Sequence, residues 1–273
     1  MKIIASIIIF LISQYSYPQD FNKKNLKYYS YILSGFNNND PNTNGTGFII
    51  KYKEINYLVS NYHVFTGKKI NGEIATKTKK ENTSLFVIFK PKDSSQSIFY
   101  PMRYELYNRY GEKKFSTFRS TIDGGLIDVA VMPIIIPDEA YNCAIDINTA
   151  ETSIEIKKGT KLVIVGFPHG DVINNWEPTY FYTRLNKSYL KTDSSVTALK
   201  YNNPLLTFGT SGSPVYIEKN DSLRLISINT LMLPKENKKD LCEATPIEFA
   251  LIIIRTLYER KIAPFTGKYQ KGR

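Results

Sequence analysis

Short apolar runs with alternating character, broken by turn residues, dominate this chain, and helical periodicity is scarce. Residues 45–52 and 55–60 form a hairpin pattern around Lys53-Glu54. Further β-type runs fall at 85–89, 99–107, 126–132, 161–166, 179–184, 196–200, 214–217 and 224–228. Many short strands at this spacing predict an all-β sandwich or barrel. Two stretches read as helix. One is weak, over 22–33; the other runs over 247–261, where Phe249, Ile252, Ile253, Thr256 and Leu257 recur on one face. Residues 133–155 carry Pro133, Pro137 and several Asp and Asn residues without periodicity. They predict a linker between two lobes, at about 35–132 and 156–250.

The N-terminus has a different pattern. Lys2 precedes an apolar stretch of about ten residues from Ile3 to Ile12, interrupted only by Ser6, and polar residues follow from Ser13. That is the layout of a secretory signal peptide, ending near Pro18 and leaving a mature chain of about 255 residues (19–273). A spanning helix needs roughly 20 apolar residues, so no stable membrane anchor is expected. The product is expected to be secreted or periplasmic.

Composition narrows the classes. Of 273 residues, 42% are apolar and 22% charged, which fits a globular protein and argues against global disorder. The net charge of +11 comes from Lys doublets such as Lys68-Lys69 and Lys113-Lys114, spread along the chain without a zinc-finger or basic-helix pattern. A solvated basic surface is expected, and no nucleic-acid partner. With two His and two Cys in all, there is little material for a metal site, and no cofactor is expected. In an exported protein Cys143 and Cys242 can form one disulfide or remain two buried thiols.

The sharpest local signal is Phe208-Gly209-Thr210-Ser211-Gly212-Ser213-Pro214-Val215. A Ser between glycines, in a tight turn that leads into a strand, can present an exposed hydroxyl. Gly209 lets the N–H groups of Gly209 and Ser211 point into one pocket, where they would stabilise a developing oxyanion. A serine nucleophile needs a base. The two candidates are His63, where a β run ends in a short turn, and His169, in a loop after another strand. The base in turn needs a carboxylate to hold its tautomer. Asp128 stands inside the apolar run Leu126-Ile127-Asp128-Val129-Ala130-Val131, where an unpaired carboxylate would cost several kcal/mol. Its rival Asp123 precedes Gly124-Gly125, a turn where Asp is common anyway.

Chain order discriminates among scaffolds. An α/β-hydrolase places its His after the Ser, and no His follows Ser211. The order Asp128, His169, Ser211 would suit subtilisin, whose alternating helices and parallel strands this pattern lacks. The order His63, Asp128, Ser211 is the one the β-rich pattern supports.

Four blocks in that order resemble the trypsin/chymotrypsin-like serine peptidases, particularly the bacterial branch of glutamyl endopeptidases and Deg-type proteases. They are Gly45-Thr46-Gly47-Phe48, Val59-Ser60-Asn61-Tyr62-His63-Val64, Asp128-Val129-Ala130-Val131 and Gly209-Thr210-Ser211-Gly212-Ser213-Pro214. Lys161-Leu162-Val163-Ile164-Val165-Gly166-Phe167-Pro168 also looks like a strand and turn of that family. The resemblance implies two six-stranded antiparallel β-barrels and a C-terminal helix at about 247–261. It implies a secreted serine endopeptidase acting on proteins or peptides, with His63 and Asp128 from the first barrel and Ser211 from the second. A catalytically inactive binding or adhesion protein on the same scaffold is the alternative, and the complete set of His63, Asp128, Ser211 and Gly209 counts against it.

Two departures matter. Animal members pair a new N-terminus with an Asp just before the nucleophile; Thr210 stands there, so that activation switch is absent. By alignment on Ser211, the substrate pocket has its floor near Leu205 and Leu206 and a wall near Ser227-Ile228-Asn229-Thr230, with Ser227 and Asn229 as its candidate contacts. No acidic residue there favours Lys or Arg, and Asn229 replaces the His of glutamyl endopeptidases. An apolar or small side chain before the scissile bond is the expectation. Insertions around 173–189 and 235–240 would reshape the cleft.

Overall fold

The computed structural model describes residues 25–76, 78–92, 99–121, 123–152, 155–168, 177–190, 198–202, 207–219, 222–235 and 238–270. For Leu190 and for residues of the 231–241 stretch it describes backbone only. The first lobe comprises β1 (Ser30–Asn37), β2 (Asp40–Tyr52), β3 (Ile55–Ser60), the short helix α1 (Tyr62–Thr66), β4 (Ser84–Phe89), β5 (Tyr100–Glu105), β6 (Ser116–Arg119) and β7 (Leu126–Ile135). The connecting stretch holds β8 (Ile145–Asp146), which pairs in parallel with β2. The second lobe comprises β9 (Glu155–Ile156), β10 (Lys161–Gly166), β11 (Thr179–Arg184), β12 (Tyr189–Leu190), β13 (Leu199–Asn202), β14 (Pro214–Lys219), β15 (Ser222–Lys235) and β16 (Lys238–Pro246). Helix α2 (Ile247–Glu259) and two short strands, β17 (Phe265–Thr266) and β18 (Lys268–Tyr269), end the fold.

The β2–β3 hairpin turns at Lys53-Glu54 with Tyr52 opposite Ile55, as its pattern predicts. The first sheet runs β7-β3-β2-β1-β4-β5, with β6 added to β7. Its two ends are joined by the C-terminal tail: β17 pairs with β7, and β18 with β5. A Cβ on Gly267, between those two strands, would press on the ring of Tyr104, so only a bare backbone fits there. The second sheet has six antiparallel strands, β11-β10-β14-β15-β16-β13, and a Leu185–Tyr201 bridge brings its first and last strands together.

Strand alternation assigns the core. In the first lobe Ile49, Leu58, Ala130 and Met132 point inside, whereas Phe48, Ile50, Tyr57, Val59, Val129 and Val131 point the other way. That outward set packs with Val163, Val165, Tyr216 and Leu225 of the second lobe, and with Ile247, Ala250, Leu251, Ile254 and Leu257 of α2. A strand apolar on both faces therefore marks a sheet covered on both sides. Leu162, Ile164, Val215, Ile217 and Ile226 fill the interior of the second lobe. Cys143 belongs to the core between the lobes and Cys242 to the interior of the second, so the two are buried thiols rather than a disulfide.

Two local expectations change. The segment expected to be helical over 22–33 gives only a single 3-10 turn at Leu26–Tyr28 before β1 begins at Ser30. Ile32 and Leu33 are paired on both edges, with β2 and β4, and Tyr31, Ile32 and Leu33 are buried, which outweighs a weak helical pattern. On α2 the buried residues are Ile247, Ala250, Leu251, Ile253, Ile254 and Leu257, so Ile253 and Leu257 lie inside as expected, whereas Ile252 is exposed. Ala250 continues the i, i+3, i+4 series because the helix lies close against the core, where a small side chain suffices.

Candidate active site

β3 ends at Ser60, and Asn61 in an extended conformation starts α1. His63 is the second residue of this five-residue helix, which closes at Gly67, whose N–H donates to the His63 carbonyl at 2.8 Å. Buried Asn82 donates to the Val64 and Phe65 carbonyls at 3.1 and 3.0 Å, so the end of the helix is capped from inside. The imidazole is thus carried on a short element tied at both ends.

Asp128 sits near the start of β7, the strand that pairs with β3, and so lies beside His63. Its Oδ2 is 2.7 Å from His63 Nδ1, and its Oδ1 accepts the His63 backbone N–H at 3.0 Å. Both carboxylate oxygens are therefore occupied by one residue, which resolves the cost of a carboxylate in an apolar strand. Burial works against a charged His63 ring, but the charge of Asp128 and its hydrogen bond together outweigh it. The His63 pKa is raised.

Ser211 comes from the other lobe, in the turn between residue 207 and β14. Gly209 and Gly212 take φ of +94° and +86°, which side-chain-bearing residues rarely adopt. At Gly212 a Cβ would also run into Ser60 Oγ and the Thr46 carbonyl. Thr46, fully buried on β2, clasps this turn to the first lobe. Its hydroxyl donates to the Gly209 carbonyl at 2.8 Å, its N–H donates to the Ser211 carbonyl at 2.8 Å, and its Oγ1 accepts the Phe167 N–H at 3.0 Å. Ser60 Oγ in turn donates to the Thr46 carbonyl at 2.7 Å.

Asn61 links the two halves of the site. Its Nδ2 donates to the Asp128 carbonyl at 2.9 Å and to Thr230 Oγ1 at 3.3 Å, while Ser211 Oγ donates to the Thr230 carbonyl at 3.3 Å. Among the described residues no hydrogen bond joins Ser211 Oγ to His63, and the N–H groups of Gly209 and Ser211 have no acceptor. The site thus combines a serine hydroxyl, an imidazole oriented by a carboxylate, and two unengaged backbone donors.

Sequence reasoning locates His63, Asp128, Gly209 and Ser211, and the fold brings His63 and Asp128 into direct contact. Leu205, Leu206 and His169 lie outside the described residues. Ser227 and Asn229, expected on a pocket wall, are instead enclosed in the second lobe, at 0% and 4% exposure. Both stand on β15, which is paired along its two edges with β14 and β16. Thr46, Asn61 and Thr230 escape sequence reasoning as supports. Thr46 between two glycines, and Asn61 two residues before His63, were the available signals.

The chain is similar in fold to a thermostable serine protease from an extremophilic microorganism, with TM-score 0.54 and 10% identity over 87% of this chain and 99% of that one. It is also similar to the serine endoprotease of Yersinia pestis, with TM-score 0.51 and 16% identity over 90% of this chain and 69% of that one. No family model and no curated protein matches the chain in sequence. The fold is the chymotrypsin-like one of bacterial serine proteases: two β lobes and a C-terminal helix.

Proposed function

We propose that this protein is a serine endopeptidase that hydrolyses peptide bonds through His63, Asp128 and Ser211 by way of an acyl-enzyme. The observation that carries the reading is the His63–Asp128 pair, with both carboxylate oxygens committed to one histidine, beside a serine turn in which the N–H groups of Gly209 and Ser211 are unengaged. A buried ion pair placed only for stability would not need that companion.

In this mechanism the Ser211 side chain turns from the Thr230 carbonyl to His63 Nε2, since catalytic hydrogen bonds often form only once substrate is bound. Neutral His63 takes the hydroxyl proton as Ser211 Oγ attacks the peptide carbonyl carbon. The Gly209 and Ser211 N–H groups hold the oxyanion, and Asp128 stabilises the imidazolium. His63 then gives its proton to the leaving amine. A water molecule, deprotonated by His63, releases the acyl group and restores Ser211. The substrates are proteins or peptides. Export through residues 1–18 to a secreted or periplasmic location is part of the proposal, supported by Lys2 and the apolar run that follows it.

Labelling with a fluorophosphonate probe tests the reading. Wild type should be labelled, Ser211→Ala should not, and turnover of a peptide library should fall by about 10⁶-fold in that variant. A folded wild-type protein that resists the probe would refute the proposal.

A further inference from the structure

The amide of Asn229 lies inside the second lobe, one layer behind the nucleophile turn. Its Nδ2 donates to the Thr210 carbonyl at 2.8 Å, and its Oδ1 accepts the phenol of fully buried Tyr201 at 2.5 Å. Its backbone is tied to the same turn, with N–H to the Ser213 carbonyl and C=O from the Gly212 N–H, both at 2.8 Å. The carbonyl of Thr210 and the N–H of Ser211 are opposite ends of one peptide plane. In a trans peptide, pulling that oxygen inward aims the Ser211 N–H outward, toward the cleft.

We infer that Asn229, steered by Tyr201, is a positioning residue that aims the Ser211 N–H as an oxyanion donor. The inference rests on the peptidase reading of this site and adds to it the device that orients one donor. Tyr201 has a specific part. A phenol hydrogen donated to Oδ1 leaves only Nδ2 for Thr210; the flipped amide would set two oxygens against each other. Burial pushes the Tyr201 pKa well above that of an ordinary phenol, so the group remains a donor throughout the working pH range. The preceding plane is fixed at both ends, with Thr46 holding the Gly209 carbonyl from the first lobe and the Thr210 N–H donating to the Thr207 carbonyl at 3.2 Å.

The test compares Asn229→Asp and Tyr201→Phe with wild type, after fluorophosphonate labelling has shown that wild-type Ser211 is reactive. Asn229→Asp sets an oxygen against the Thr210 carbonyl. It should lower kcat by about 10²-fold, as loss of one oxyanion donor does, with KM within threefold of wild type. Inhibition by a peptide aldehyde, whose adduct oxygen sits on the same donors, should weaken by a similar factor. Tyr201→Phe removes a single oxygen atom. It should show the same split at about tenfold, and it decides the matter if the aspartate variant does not fold. A folded variant set in which KM rises at constant kcat would make Asn229 part of the substrate pocket and overturn the inference. So would kcat and aldehyde inhibition that both stay within threefold of wild type. A wild type that takes no label would instead refute the peptidase reading, and the inference with it.

Discussion

Thr46→Val replaces the hydroxyl that fastens the serine turn by a methyl of the same shape. In the wild type that oxygen donates to the Gly209 carbonyl at 2.8 Å and accepts the Phe167 N–H at 3.0 Å, and the residue is fully buried. Valine leaves one carbonyl and one N–H without partners in a region closed to water. Each unsatisfied group costs about 1–3 kcal/mol, so the variant should lose roughly 2–5 kcal/mol. Thr46→Ser keeps the hydroxyl and gives up one methyl, at about 1 kcal/mol. The Thr46 backbone bonds to Ser211 and Ser60 survive in both variants, so the difference reports on the side-chain hydroxyl alone. Equilibrium urea denaturation followed by tyrosine fluorescence measures it. Thr46→Val within 0.5 kcal/mol of Thr46→Ser, on the order of a typical neutral surface change, would show that the clasp does not support the turn.

Activity should fall as pH drops through the raised pKa of His63, because the imidazolium cannot accept the serine proton. The acid limb of kcat/KM should therefore lie above the ordinary histidine value of 6.5. Asp128→Asn removes the charge that overcomes burial, so that limb should move to lower pH while turnover drops by about 10⁴-fold; a limb that stays in place would refute the assignment. Truncation after Ile262 removes the tail that joins β5 to β7, including half-buried Phe265. It should cost about 2 kcal/mol and speed amide exchange in those two strands, and unchanged exchange would show that the tail is not part of the barrel. Cys143 and Cys242 should resist a thiol reagent in the native protein and both react in denaturant without reductant; failure to react there would mean a disulfide.

The turn Gly209-Thr210-Ser211-Gly212 was legible because its demands are local: glycines at positive φ, a small nucleophile, a strand directly after. His63 and Asp128 were legible by elimination, one from two histidines and the other from a carboxylate misplaced in an apolar run. The stretch over 22–33 was not legible because its outcome depends on β2 and β4, strands outside it that pair with Ile32 and Leu33 on both edges. The contacts of Asn229 are not legible for a related reason. Alignment gives its distance from Ser211 along the chain but not the side of β15 from which its amide points.

The sequence by itself determined the β class, the two lobes, the C-terminal helix and which residues are the candidates for the proposed chemistry. Period-two alternation and turn chemistry act over a few residues, and chain order needs no geometry. Only the tertiary structure decided which contacts hold these segments: Thr46 and Asn229 on the serine turn, Asn61 between the lobes, and a C-terminal tail that returns to join the first barrel. These are single polar contacts, or short strand pairs, between segments separated by tens to hundreds of residues. Each depends on which buried donor meets which buried acceptor once the two lobes pack, and a polar residue's local neighbours carry no record of that.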